Sequence, residues 1–202
     1  VYTTHNETGT GICNPIREIG ALAHRYGATF VVDTTSTLAM RPIDVARDNI
    51  DFCMASAQKG IMAMTGLSFV IGRTDLIVAS KDYPKRSYYC NLYLQYEYFE
   101  KTGQMHFTPP VQTVYAAVQG LKEYFAEGET AKWERHKRVF EAIHAGLDEL
   151  GFKDVIRREW QSGLVVSVLY PDDPNWDFMK VHDYCYERGF TIYPGKIAST
   201  NT

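Results

Sequence analysis

Ala28-Thr29-Phe30-Val31-Val32-Asp33 is the stretch on which the reading of this chain turns. Its first five residues are apolar or β-branched without alternation, as in a strand covered on both faces. A carboxylate, Asp33, closes the run. Upstream, Asn14-Pro15 predicts a helix start, with Asn as N-cap and Pro at the first helical position. Ile16, Ile19, Ala23 and Tyr26 then recur at helical spacing, and Gly27 supplies the C-terminal stop. Downstream, Ile50–Ala55 and Leu67–Gly72 read as two more short strands. Helix and buried strand in alternation predict an α/β layer fold on a mostly parallel sheet.

Farther along, Thr108-Pro109-Pro110 predicts a helix start with Thr108 as cap, and Val111, Val114, Tyr115, Val118, Leu121 and Phe125 form its apolar stripe. Thr130 is read as the cap of a long helix to Leu150, bridging to a smaller α+β domain. In that domain Leu164–Leu169 and Phe190–Tyr193 are expected strands around a helix from Asp177 to Arg188. The expected division is therefore 1–129 and 130–202. Tyrosines and phenylalanines crowd the stretch from Lys81 to Phe107, which suits aromatic packing or a subunit interface.

Composition narrows the function. Of 202 residues 45% are hydrophobic and 22% charged, as in an ordinary folded protein, and the net charge of −3 gives no reason to expect nucleic acid or an anionic membrane as partner. No apolar run is long enough to span a bilayer, and the opening residues lack the basic and apolar regions in which a signal peptide is expected. The 4 cysteines are widely spaced, without a C-x-x-C pair or a histidine cluster. They read as buried thiols of a reducing, cytoplasmic protein rather than a disulfide framework or zinc site.

Two side chains stand out chemically. Asp33 ends a buried strand, and in open α/β sheets ligands bind at the carboxyl ends of strands. Lys59 follows 26 residues later in Ser56-Ala57-Gln58-Lys59-Gly60, about one helix-plus-strand unit on, so both can reach one cleft. Each alone is ordinary, as a turn residue and a surface charge. Together they suit a pyridoxal 5'-phosphate site: the lysine condenses with the cofactor aldehyde and the aspartate pairs with the pyridinium nitrogen. A buried carboxylate stabilises the ring proton, which makes the ring an electron sink. The displaced lysine is then a base beside the substrate carbon. The loop Glu7-Thr8-Gly9-Thr10-Gly11 is glycine-rich, but matches neither G-x-G-x-x-G nor a P-loop.

His5-Asn6-Glu7-Thr8-Gly9-Thr10-Gly11-Ile12-Cys13-Asn14-Pro15, Val32-Asp33, Ser56-Ala57-Gln58-Lys59 and His106-Phe107-Thr108-Pro109-Pro110, in this order and spacing, resemble the class V aminotransferases of pyridoxal-phosphate fold type I. The segment Arg188 to Lys196 most resembles the 2-aminoethylphosphonate–pyruvate branch. The resemblance implies Lys59 as the covalent lysine and Asp33 on the ring nitrogen. It also implies Thr8 on the phenolic-oxygen side, Thr35 against a ring face and Gln58 on the phosphate. Thr108 is implied to reach the phosphate of the other subunit's cofactor in a homodimer. A helix N-terminus suits that last role.

The substrates implied are a small amino donor with pyruvate or another 2-oxo acid. Gln58 and the loop Gly60–Gly66 are nearer to the alanine–glyoxylate and serine–pyruvate relatives, so that activity stays open. A cysteine desulfurase is disfavoured, since that branch carries histidine where Gln58 stands. A structural, non-enzymatic homologue is the remaining alternative. Family members carry a ring-stacking aromatic before the first motif and a substrate arginine after the last, so the chain is expected to be a fragment with little activity alone. His5 and His106, beside the motifs, are read as structural hydrogen-bonding groups.

Overall fold

The computed structural model describes residues 1–195 and 202. Lys196, the last residue of the segment read as branch-specific, lies outside the described residues. Two compact units are present: Val1–His5 with Pro15–Glu129, and Asn6–Asn14 with Thr130–Thr202.

In the first unit, β1 (Tyr2–Thr4), β2 (Val31–Asp33), β3 (Phe52–Ser56) and β4 (Ser68–Gly72) lie side by side in sequence order. The first three are parallel and β4 runs antiparallel to β3. The sheet is thus mixed but mostly parallel, and with its helices it makes the expected α/β architecture. Helix α1 (Ile16–Arg25) lays Ile16 and Ala23, two turns apart on one face, over Phe30 and Val32, with Ile50 and Cys53 completing the core. Phe30 and Val32 are fully buried, each contributing roughly 1.5–3 kcal/mol. Gly20 lets α1 approach the turn before β3, because a Cβ there would stand 2.7 Å from the Asp48 carbonyl oxygen.

The entry to β3 is held by charge. Asp51 is buried, and its carboxylate accepts from Phe30 N at 2.7 Å, His24 Nε2 at 2.9 Å and Arg73 at 3.1 Å. Burial alone would raise its pKa, but the Phe30 amide, His24 and Arg73 outweigh burial and hold it below the usual range. The unit continues through α2 (Thr74–Ala79), α3 (Leu92–Thr102) and α4 (Val111–Glu127).

Several expectations need correcting. Pro15, not Asn14, occupies the N-cap of α1, and β2 begins only at Val31. Thr108 does not cap a helix: α4 has Pro110 at its N-cap, so Thr108 stands outside it. α5 (Glu129–Glu149) already includes Thr130. Of the four cysteines, all free, only Cys53 is buried, and burial raises its thiol pKa, while Cys90 is exposed.

In the second unit, neither Leu164–Leu169 nor Phe190–Tyr193 is a strand. A strand exists only where a neighbour takes its backbone groups. Here residues 164–169 find just an isolated Asp154–Val168 bridge, with Val155 N and Leu169 N donating to Ser167 O and Lys153 O. Helix α6 (Phe178–Tyr186) is capped by Asp177, whose carboxylate accepts from Met179 N and Lys180 N. The stretch Asn6–Asn14 groups with this unit, whereas the sequence reading put all of 1–129 together. The reason is hydrogen bonding: Cys13 N donates to Trp160 O, Ser162 N to Gly11 O and Ser167 Oγ to Gly9 O. Among the described residues no helix is long and apolar enough to cross a membrane, and no cluster of metal-ligating side chains is present.

Candidate active site

The sheet register builds the site from two neighbouring strand ends. Asp33 is the last residue of β2 and lies opposite Met54 of β3; Ser56 ends β3 two residues later. Thr34 ties the strands together beyond Asp33, its N and its Oγ1 both donating to Met54 O at 2.9 Å. Asp33 is half-buried. Its Oδ1 accepts from Thr35 N at 2.9 Å, its backbone oxygen accepts from His5 N, and the Tyr2 hydroxyl lies 3.5 Å from Oδ2, the outer limit of a hydrogen bond. Oδ2 therefore keeps strong acceptor capacity for a further donor.

Beyond β3 the chain turns at once. Lys59 N reaches Ser56 O, and Met62 N donates to Lys59 O at 2.9 Å. Gln58 and Lys59 are exposed while Ala57, Gly60 and Ile61 are buried, so the turn is anchored at its flanks and offers the lysine outward. Lys59 makes no ion pair among the described residues. A Cβ on Gly60 would stand 1.9 Å from Leu38 O, so this turn lies directly on the turn that follows Asp33. Ala39 (φ 59°) and Met62 (φ 61°), one in each turn, adopt left-handed backbone, a strained choice for residues with a side chain.

These residues suit a pyridoxal 5'-phosphate group. The amine is unpaired, the carboxylate has an oxygen open to a ring N–H, and Ser56 Oγ is buried beside the lysine turn without a hydrogen-bond partner. That hydroxyl is left able to take a further polar partner.

The other sequence candidates are placed separately. Thr35 is half-buried and bonded to Asp33 through its amide. Thr108 is exposed between Phe107 and Pro109, after an aromatic cluster in which Tyr88, Tyr89 and Tyr98 pack on His106 and Phe107. Thr8 belongs to the second unit, exposed on a loop closed by Glu7. The Thr10 hydroxyl, then the Gly9 and Thr10 amides, hold the Glu7 carboxylate below its usual range against the opposing effect of burial.

Sequence reasoning gave His5 no more than a structural hydrogen bond and left Ser56 and Gly60 without roles. His5 is buried, with Nδ1 3.0 Å from Thr37 Oγ1, and burial followed by the Arg41 charge lowers its pKa to about 4. It braces the turn after Asp33 in its neutral form. Its contact is 32 residues distant along the chain, so no local pattern announces it.

Residues 1–195 match the family described as Aminotransferase class-V. The 2-aminoethylphosphonate–pyruvate transaminase of Salmonella heidelberg is 39% identical over 203 residues, covering 100% of this chain and 55% of the relative. The chain thus spans about half the length of the curated relatives it matches. Among solved structures, pyridoxamine–pyruvate aminotransferase from Mesorhizobium loti has a TM-score of 0.89 at 23% identity, covering 100% of this chain and 52% of that one. Alanine–glyoxylate aminotransferase from Nostoc sp. has a TM-score of 0.88 at 23% identity, covering 99% and 53%. The structural likenesses carry the fold, and the family match carries the membership: this chain belongs to the class V aminotransferases.

Proposed function

We propose that this chain carries the lysine and the aspartate of a pyridoxal 5'-phosphate site, and that the whole enzyme moves the amino group of 2-aminoethylphosphonate to pyruvate, giving phosphonoacetaldehyde and alanine. The observation behind this reading is the adjacency of the Asp33 and Lys59 turns at the carboxyl ends of β2 and β3, packed together through Gly60. The identity to the Salmonella transaminase supports the choice of substrates.

The bound cofactor supplies an electron-withdrawing ring that lets the substrate carbon release its proton. Asp33 keeps the ring nitrogen protonated by charge pairing. Lys59 would hold the cofactor through its ε-amine, and the same amine would serve as the base at the substrate carbon bearing the amino group. Thr8, Thr35 and Gln58 orient the group at its oxygen, ring face and phosphate. Thr108 serves the partner subunit of a homodimer, and the protein works in the cytoplasm. Gln58 and the loop after Lys59 favour a second reading, an alanine–glyoxylate or serine–pyruvate aminotransferase.

Borohydride reduction of the full-length protein with pyridoxal 5'-phosphate, followed by peptide mapping, tests the lysine; label on another residue overturns it. A panel of 2-aminoethylphosphonate, alanine and serine against pyruvate and glyoxylate tests the substrates. Turnover of alanine with glyoxylate or of serine with pyruvate, without turnover of 2-aminoethylphosphonate, selects the second reading. Labelled Lys59 with no turnover leaves a structural homologue.

A further inference from the structure

In the first unit, Lys85, Arg86, Ser87, Tyr88 and Leu94 line an open cleft of about 220 Å³. We propose that this cleft binds a small tetrahedral oxyanion, a phosphate or phosphonate dianion.

Charge is the first ground. Three other arginines of this unit find carboxylates: Arg47 and Arg17 pair with Asp48, and Arg73 with Asp51 and Asp75. Lys85 and Arg86 are adjacent cations with no ion pair among the described residues, and no carboxylate lines the cleft. Both are exposed, and one dianion in the cleft can pair with both.

Donor geometry is the second. Arg86 offers a planar fork that matches two oxygens of a P–O group, and Lys85 a point charge with three N–H bonds. Ser87 Oγ accepts from Cys90 N at 3.0 Å, so its own O–H is available to donate. The Tyr88 hydroxyl has only a long 3.5 Å contact to His106 Nε2, so its proton can turn toward a better acceptor. Donors from four side chains exceed what a planar carboxylate can use but suit three terminal phosphoryl oxygens. The volume lies below the roughly 300–1,000 Å³ of pockets for drug-sized ligands, which fits one charged headgroup against the Leu94 wall.

Continuity is the third. The Tyr88 ring packs on His106 and Phe107, with centroids 5.4 and 5.5 Å apart, and Thr108 follows directly. The anion has two sources within the proposed function, the cofactor's phosphate and the amino donor's phosphonate. The inference rests on that reading for the identity of its anion.

The test titrates the full-length protein with inorganic phosphate and methylphosphonate, read by ³¹P NMR, with acetate as control. Saturable binding is expected, at least tenfold weaker in R86Q and in K85Q/R86Q, with R86K between. No saturable binding, or an unchanged R86Q, overturns the site. The source is read from two preferences: pyridoxal 5'-phosphate over pyridoxal, and 2-aminoethylphosphonate over β-alanine. Loss of either in K85Q/R86Q supports the site and names its ligand. Retention of both marks an adventitious ion only and overturns it. Borohydride labelling of Lys59 reads the transaminase site independently, so a failed cleft with a labelled lysine sinks this inference alone.

Discussion

Gly60 lies directly on Leu38, so close that any β-carbon at position 60 would stand 1.9 Å from the Leu38 carbonyl oxygen. This backbone contact, one residue from Lys59, binds the lysine turn to the aspartate turn. Gly60→Ala must push them apart, because the obstacle is main chain and cannot rotate away. We expect a loss near the upper end of the 1–3 kcal/mol typical of overpacking, with slower borohydride capture by Lys59. Urea unfolding and labelling kinetics check both parts; an unaffected labelling rate refutes the positional role.

Asp33→Asn keeps an oxygen for the Thr35 amide but removes the charge. Folding should persist, while turnover by the full-length enzyme falls by roughly 10²-fold or more, the scale of lost electrostatic stabilisation in a site. Asp33→Glu restores part of the rate. Equal kcat in Asn and wild type would remove Asp33 from the mechanism.

His5 makes stability depend on pH in a defined window. Its folded pKa is lowered from 6.5 to about 4, by burial first and the Arg41 charge second. The unfolded chain therefore binds a proton that the folded chain refuses between these values. The stabilisation is complete above pH 6.5 and declines as pH falls toward 4, by at most roughly 3 kcal/mol. His5→Gln should flatten that slope in urea midpoints measured from pH 4 to 8. Parallel slopes would contradict the assignment.

Gly11 has a φ of 82°, and a Cβ there would stand 2.7 Å from Val165 O. Gly11→Ala should loosen the loop bearing Thr8, seen as earlier proteolytic cleavage within residues 6–14 and a shift in Trp160 fluorescence. Gly27→Ala is the control: its φ is 67°, but nothing lies within 4 Å of the added carbon, so only the left-handed backbone cost of about 1–2 kcal/mol appears.

The first unit was legible because its signals are local. The apolar run ending at Asp33, the helix closed by Gly27 and the strand before Lys59 follow from period and punctuation, and their parallel order from alternation. What escaped was pairing between distant segments. β1 is only three residues long and carries no periodic pattern. Leu164–Leu169 has the residues of a strand, but strand formation depends on a neighbour the run itself cannot reveal. Thr108-Pro109-Pro110 misled because two prolines in succession move the helix start past the first candidate cap. For the site, Asp33 and Lys59 were visible as residue types at a plausible spacing. Gly60, Ser56 and His5 matter through contacts that only the folded backbone defines.

Ala39 and Met62 give this region an unusual economy of heat tolerance. Left-handed backbone costs each about 1–2 kcal/mol. Exchange for glycine recovers that strain but enlarges the unfolded ensemble at a cost of about 0.4–1 kcal/mol. The balance favours glycine by up to about 1.6 kcal/mol per site, a rise of a few degrees in melting temperature, while the stiffness on either side of the lysine is given up. Thermostabilising campaigns aimed at these two bends would trade aim for robustness.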